Sequence, residues 1–326
     1  MRVLSGIQPS GKLHIGNYFG AMHQYIEMHD KGNECFFCIA NYHALTSTTD
    51  KNAIVEYTNE VARGYLSIGL DPEKATFFRQ SDVPEVCELA WVLSCVTPMG
   101  LLERCVSYKD KIAQGITPNH GLFCYPVLQA ADILIYKSDS VPVGQDQKQH
   151  LELSRSIATK FNNTYEQDVF VIPEPYIKAD VAVVPGVDGR KMSKSYNNTI
   201  ALFETDKKTK KSIMKVETDS TPMEDPKEYE NCNAYALLKL VASNEELSQW
   251  QDKYKAGGMG YGHVKVRLAE LINERFAPYR ERYNALEKDP DYVEDVLRES
   301  GKKARAIAQE TMEKVRAATG ILTATQ

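Results

Sequence analysis

The chain has little of what would mark a membrane-embedded, secreted or broadly cationic protein. Nowhere in its 326 residues does an apolar run approach the roughly 20 residues needed to cross a bilayer, so no membrane role is expected. The opening Met1-Arg2-Val3-Leu4-Ser5-Gly6 meets a glycine before a signal-peptide core could form, and a cytoplasmic location is expected. Positive charge is not in surplus: 39 Lys and Arg stand against 44 Asp and Glu, a net charge of −5. That excludes a surface coated in cations for indiscriminate nucleic-acid binding, though not a local basic patch. Cysteine is sparse and odd in number, seven residues scattered through apolar runs, which fits reduced thiols rather than a disulfide framework. One Cys-x-x-Cys pair, Cys35 and Cys38, lies in Glu34-Cys35-Phe36-Phe37-Cys38-Ile39-Ala40. This run reads as a buried strand, on which such a spacing sends the two thiols to opposite faces. No second pair follows at zinc spacing, so no metal site is expected. Internal repeats and low-complexity tracts are missing as well.

What is present is an ordinary globular composition, 43% hydrophobic and 25% charged, in a chain long enough for two domains. The first two-thirds alternate strand-like and helix-like segments. Val3-Leu4 opens a strand, and 17–29 reads as a helix. Strands follow at 35–41 and 76–80, separated by a helix that Asp50 caps, and a further helix runs from Pro84 to about Val96. A short strand at 140–144 precedes a long helix at 146–161. This rhythm predicts an α/β fold: a Rossmann-like parallel sheet covered by helices, with ligands at the carboxyl ends of its strands. From Asp206 strand signals nearly vanish. Val264, Leu268, Leu271, Ile272 and Tyr279 share one helix face, and Ala304, Ile307, Ala308, Val315 and Ala318 share another. Residues 1–205 therefore read as a catalytic domain and 206–326 as an α-helical one. An acidic stretch with Pro222 and Pro226 reads as a connecting loop, and the glycines of 257–262 as a flexible break.

Two lysine-bearing segments suggest chemistry. Gly6-Ile7-Gln8-Pro9-Ser10-Gly11-Lys12 matches P-loop spacing up to its lysine. The next residue is Leu13, where a P-loop needs Ser or Thr for magnesium, and Pro9 removes a backbone donor from the would-be cradle. The P-loop reading is rejected. Instead the loop runs into a helix starting near Gly16, a residue that allows close approach to the backbone, and the helix N-terminus favours phosphate. His14 can supply a ring donor and Asn17 an amide to phosphate oxygens; an ordinary strand-turn-helix with a surface histidine is the plainer alternative. Far down the chain, a mobile-looking loop, Gly186 to Arg190, leads into Lys191-Met192-Ser193-Lys194-Ser195. Two lysines three apart can reach a pyrophosphate from one side and follow it as it departs.

With these segments in hand, the chain resembles class I tryptophan–tRNA ligases of the bacterial type over almost its whole length. The resemblance rests on Gly6 to Gly11, His14-Ile15-Gly16-Asn17-Tyr18, Tyr125-Pro126-Val127-Leu128, Ala130-Ala131-Asp132-Ile133-Leu134, Val141-Pro142-Val143-Gly144, Asp146-Gln147-Lys148-Gln149-His150 and Lys191 to Ser195. It implies an enzyme that condenses L-tryptophan with magnesium-bound ATP and passes the aminoacyl group to tRNA(Trp), typically as a homodimer. It also implies roles. Lys191, Lys194 and Lys111 would stabilise the charge that develops during adenylation; Lys111 is equally readable as part of a surface charge cluster. Gln8, Pro9, Ser10, His14, Gly16 and Asn17 would hold the triphosphate with Met192, Ser193 and Ser195. Gly144 and Asp146 would hold the ribose. Leu4, His43, Tyr125, Gln129, Asp132, Val141, Val143 and Gln147 would surround the amino acid, with Tyr125 and Gln147 on its charged end. His43 is equally readable as a satisfied core histidine.

Tyrosine–tRNA ligases share this fold and both signatures, and they form the alternative. Tyr125-x-x-x-Gln129-x-x-Asp132 matches their pattern, whereas many bacterial tryptophan enzymes carry Met at the position of Gln129. Asp132 could accept from an indole N–H or a phenol O–H. Leu4 favours tryptophan, because the tyrosine enzymes place a hydroxyl-binding tyrosine there, and a phenol facing an aliphatic wall would lose its partner. The helical part would bind the anticodon. Lys207, Lys208, Lys210, Lys211 and Lys215 form a basic cluster, readable as a solvated helix face or as a contact for RNA backbone. Some relatives carry an iron–sulfur cluster in this part; only Cys232 lies beyond Cys124 here, too few thiolates, so no cluster is expected.

Overall fold

The computed structural model describes residues 1–113, 115, 117–142, 148–176 and 183–321, with backbone alone at 107, 110, 111 and 176. Five short strands, β1 (Arg2–Ile7), β2 (Glu34–Ile39), β3 (Ala75–Arg79), β4 (Ser140–Pro142) and β5 (Glu174–Tyr176), form a parallel sheet in the order β3-β2-β1-β4-β5. The chain builds outward from β1 to β3, then crosses back to add β4 on the other side of β1. Strand order reverses between β1 and β4, and the crevice beyond their carboxyl ends is where such sheets take ligands. The strands expected from the sequence are found, with the ends of β2 and β3 displaced by one or two residues; the end of the strand expected at 140–144 lies outside the described residues. β5 was not anticipated, nor was the helix His120–Ile135, whose internal Pro126 hid its helical character.

Period-two alternation sorts the strand side chains into two cores. Val3, Cys35, Phe37, Ile39, Ala75 and Phe77 enter one; Leu4, Phe36, Cys38 and Phe78 enter the other. Cys35 and Cys38 thus lie on opposite faces, as their spacing predicts. The helix Lys51–Ser67, capped by Asp50 as expected, covers the first face, and the helices Glu85–Val96, His120–Ile135 and Lys148–Tyr165 cover the second.

Among the described residues no strand follows position 206. The helices there are Asp206–Ile213, Asn233–Leu238, Asn244–Ala256, Tyr261–Glu287 and Pro290–Thr319. They divide between the two cores. Val264, Leu268, Ile272 and Phe276 join the first, while Ala304, Ala308, Met312 and Val315 join the second. The connecting loop at 219–231 is irregular yet built. Lys227 is buried, and its ammonium donates to the carbonyls of Pro222 (2.6 Å), Met223 (3.2 Å) and Asp225 (2.9 Å). No helix among the described residues is long and apolar enough to cross a membrane.

Candidate active site

A cavity of about 490 Å³ opens at the switch point, lined by the ends of β1 and β4, the turn after β2 and one face of the helix His120–Ile135. Leu4, His43, Tyr125, Gln129, Asp132 and Val141, singled out from the sequence, all line it. Leu4, Ile133 and Val141 form apolar wall, and Asp132 is the buried carboxylate among them. His43 sits on the short helix Asn41–Ala44 that follows β2, not on the strand. Its Nε2 lies 2.9 Å from Asp132 Oδ2; a carboxylate only accepts, so the ring carries its proton at that nitrogen. Tyr125 Oη and His150 Nε2 are hydrogen-bonded at 2.8 Å. Val143, Gly144, Asp146 and Gln147 lie outside the described residues. Lys111 belongs to the helix Val106–Ala113, and its side chain lies outside them too.

Beside this cavity the two lysine-bearing segments meet. His14 caps a helical run that begins at Ile15 and includes a π-helical turn, Tyr18–Met22, of a kind often found at functional sites. The cap is reciprocal: Asn17 N–H donates to His14 Nδ1 (3.3 Å), and His14 N–H donates to Asn17 Oδ1 (3.0 Å). The backbone thus occupies Nδ1, which leaves Nε2 as the ring's donor in the neutral form. Burial, aided by the nearby Lys194 charge, pushes the His14 pKa down to about 4, so the ring is neutral at physiological pH. The clearance at Gly16 is taken by the protein itself. A Cβ there would lie 2.9 Å from His14 Nδ1 and 3.2 Å from Met192 Cβ, so the glycine lets the second segment close on the first.

Lys194 completes the closure. Its ammonium donates to Gly11 O (2.8 Å) and Ser10 Oγ (3.3 Å), and burial lowers its pKa to about 8 against an opposing pull from Glu60. Met192 is buried and Lys191 is exposed. The loop that looked mobile in sequence is tied down by Asn198, which accepts from Ser193 N–H (2.8 Å) and donates to Asp188 Oδ1 (2.7 Å) and Lys191 O (3.1 Å). Ser193 also caps a short turn by accepting from Ser195 N–H. Gln8 is exposed, and its amide donates to Ser47 Oγ (3.1 Å). Pro9 is buried, and Ser10 is exposed except for its Lys194 contact.

Three polar residues were not singled out from the sequence, Gln80, Asn198 and Glu60, and His150, quoted within the motif Asp146 to His150, was given no role. Gln80 is wholly buried just beyond β3 and donates to Asp132. Glu60 accepts from Leu13 N–H (3.2 Å) in the first segment. A polar residue at the carboxyl end of a strand, as Gln80 is, was the one available signal.

Comparison with known proteins gives the family and the fold. The family description "tRNA synthetases class I (W and Y)" matches residues 1–277. A tryptophan–tRNA ligase from Fusobacterium nucleatum is 55% identical over 323 residues, 98% of each chain. One from Campylobacter jejuni is 51% identical over 315 residues, 97% of this chain and 98% of that protein. A crystal structure of the Campylobacter jejuni tryptophanyl-tRNA synthetase, in complex with ADP and tryptophan, superposes with a TM-score of 0.93 at 50% identity, covering 98% of this chain and all of that one. The tyrosine alternative is not favoured. The chain belongs to the class I tRNA synthetases, and within them to the tryptophan–tRNA ligases.

Proposed function

We propose that tryptophan lies in the 490 Å³ cavity with its indole N–H on Asp132, and that ATP, carrying magnesium, lies across the meeting of the two lysine-bearing segments. The activity is the family's: ATP-dependent activation of L-tryptophan to its adenylate, then transfer to tRNA. The observation that carries the site reading is Lys194 Nζ, 2.8 Å from Gly11 O in the loop whose first residues, Gly6 to Gln8, line that cavity.

The tryptophan carboxylate attacks the α-phosphorus, the bond to the bridging oxygen breaks, and diphosphate leaves with the electron pair. No protein nucleophile is needed; positioning and charge stabilisation do the work. Lys194, Lys191 and Lys111 meet the negative charge that spreads onto phosphorus and diphosphate. Neutral His14 donates through Nε2, and Asn17 and Gln8 orient the triphosphate beside Pro9, Ser10, Gly16, Met192, Ser193 and Ser195. Gly144 and Asp146 take the ribose. Tyr125 and Gln147 hold the ammonium and carboxylate of the amino acid, while Leu4, His43, Gln129, Val141 and Val143 enclose its ring. A ribose hydroxyl of the tRNA end then attacks the acyl carbon, and AMP leaves.

Residues 1–205 form the catalytic part and 206–326 the part that meets the anticodon. Five exposed lysines, Lys207, Lys208, Lys210, Lys211 and Lys215, support contact with the tRNA backbone. A homodimer is supported by an apolar stripe on the helix Glu85–Val96. Cys87, Trp91 and Cys95 recur there at helical spacing with Trp91 72% exposed, and exposed Met99 follows. The working location is the cytoplasm, where tRNA charging supplies translation. Exchange of labelled diphosphate into ATP, run with each of the twenty amino acids, tests the reading. Tryptophan alone is expected to drive it; exchange driven by tyrosine would overturn the assignment of the pocket.

A further inference from the structure

Gln80 sits in the turn Gln80–Asp82 that follows β3 and has no exposed surface. Its Nε2 lies 2.8 Å from both Asp132 Oδ1 and Asp132 Oδ2. Its Oε1 accepts from Tyr42 N–H at 2.9 Å. These contacts fix the amide's orientation: turned over, it would set its oxygen against a carboxylate and its NH₂ against a backbone donor. The frame around it is rigid. Asn41 Nδ2 donates to Ser81 Oγ (2.8 Å) and Ser81 N–H donates to Asn41 Oδ1 (3.1 Å), binding the ends of β2 and β3 together. His43, next to Tyr42, gives Asp132 its second donor. A carboxylate offers about four acceptor directions. Gln80 and His43 take the protein-facing ones, and Asp132 lines the cavity with what remains.

We infer that Gln80 is a specificity-determining positioning residue. It holds Asp132 as a fixed, desolvated acceptor, so a ring that enters without an N–H leaves that acceptor unpaired and is rejected. Gln80 touches no substrate; it acts through Asp132. The inference rests on the reading that Asp132 accepts the indole N–H.

The test compares kcat/KM in diphosphate exchange for tryptophan and for its benzothiophene isostere, in which sulfur replaces the ring N–H. Wild type is expected to favour tryptophan by about 100-fold or more. In Gln80→Glu, an isosteric change that replaces the donor by an acceptor, the ratio should fall about 10-fold or more through a raised KM for tryptophan. Gln80→Met, which removes the donor without adding a charge, should lower the ratio as well. A packing defect would depress both substrates together and leave the ratio unmoved. If Asp132→Asn collapses the ratio while both Gln80 variants keep it, the role of Gln80 is refuted and the Asp132 reading stands. If wild type does not discriminate, both fail. Should Gln80→Glu not fold, as judged by its melting transition, Gln80→Met alone decides.

Discussion

Lys194 is held part-buried against Ser10 and Gly11, and the loss of hydration brings its pKa down to about 8. A base whose pKa is lowered keeps its charge below that value and loses it above. On the role proposed for Lys194, the charge that would meet the leaving diphosphate fades in the free enzyme as pH rises through about 8. The kcat/KM for ATP should show an alkaline limb near that pH, and Lys194→Arg should carry the limb out of the accessible range. Persistence of the limb in the arginine variant would assign it to another group. Lys194→Ala should slow adenylation by about 10²- to 10³-fold while leaving tryptophan binding nearly untouched, because the charge it meets develops in the transition state. Lys194 was legible in the sequence because flexible cations repeat within a short loop. Asn198, which holds that loop closed, was not: a lone asparagine carries no signal until the backbone it bonds has been folded around it.

Single contacts join the C-terminal helices to the segment that carries His14. Tyr283, on the helix Tyr261–Glu287, donates to Glu60 Oε2, and Glu60 Oε1 accepts from Leu13 N–H. Phe203 stacks on the Tyr283 ring at 4.2 Å, and the Arg63 guanidinium lies 5.3 Å from its centroid. The hydroxyl thus links the helical part to the backbone just before His14. Tyr283→Phe keeps the stacking and removes the link. The expected outcome is a loss of roughly 1 kcal/mol in stability and a raised KM for ATP in diphosphate exchange. An unchanged KM would show that Leu13 is held by packing alone. Ion pairs flank the apolar face by which the helix Pro290–Thr319 packs on β3 and its neighbours. Arg79 pairs with Glu294 through two contacts of 2.7 Å and with Asp82 at 3.0 Å, while Arg305 reaches Glu85 (2.8 Å) and Arg316 reaches Glu88. Periodicity announced these helices and their apolar faces, but a pattern of three and four reports which face is buried, not what it is buried against.

At the scale of the molecule, the sheet is a shared wall. Each of its two cores is completed by a helix from the last third of the chain, through Leu268, Ile272 and Phe276 on one side and Ala304, Ala308 and Met312 on the other. A chain ended after Thr205 would expose both unfinished faces. It should therefore lack a cooperative melting transition near that of the full chain and should bind a hydrophobic dye. A truncated chain that melts cooperatively and keeps full exchange activity would mean that the catalytic part stands alone.

The alternation of strands and helices up to the helix Glu85–Val96, the opposite placement of Cys35 and Cys38, and the two lysine-bearing segments were all determined by the sequence alone, whereas β5 and the helix His120–Ile135 were not. Each of the first three is a local pattern: side chains alternate along a strand, recur along a helix, and gather in a loop because neighbouring residues share one backbone geometry. Which distant residues touch was decided by the tertiary structure. Lys194 meets Gly11 across 183 positions, Gln80 meets Asp132 across 52, and Arg79 meets Glu294 across 215. Such meetings depend on where the chain returns after each crossover, as when it reverses the strand order and sets β4 beside β1, and no local pattern encodes where a crossover returns.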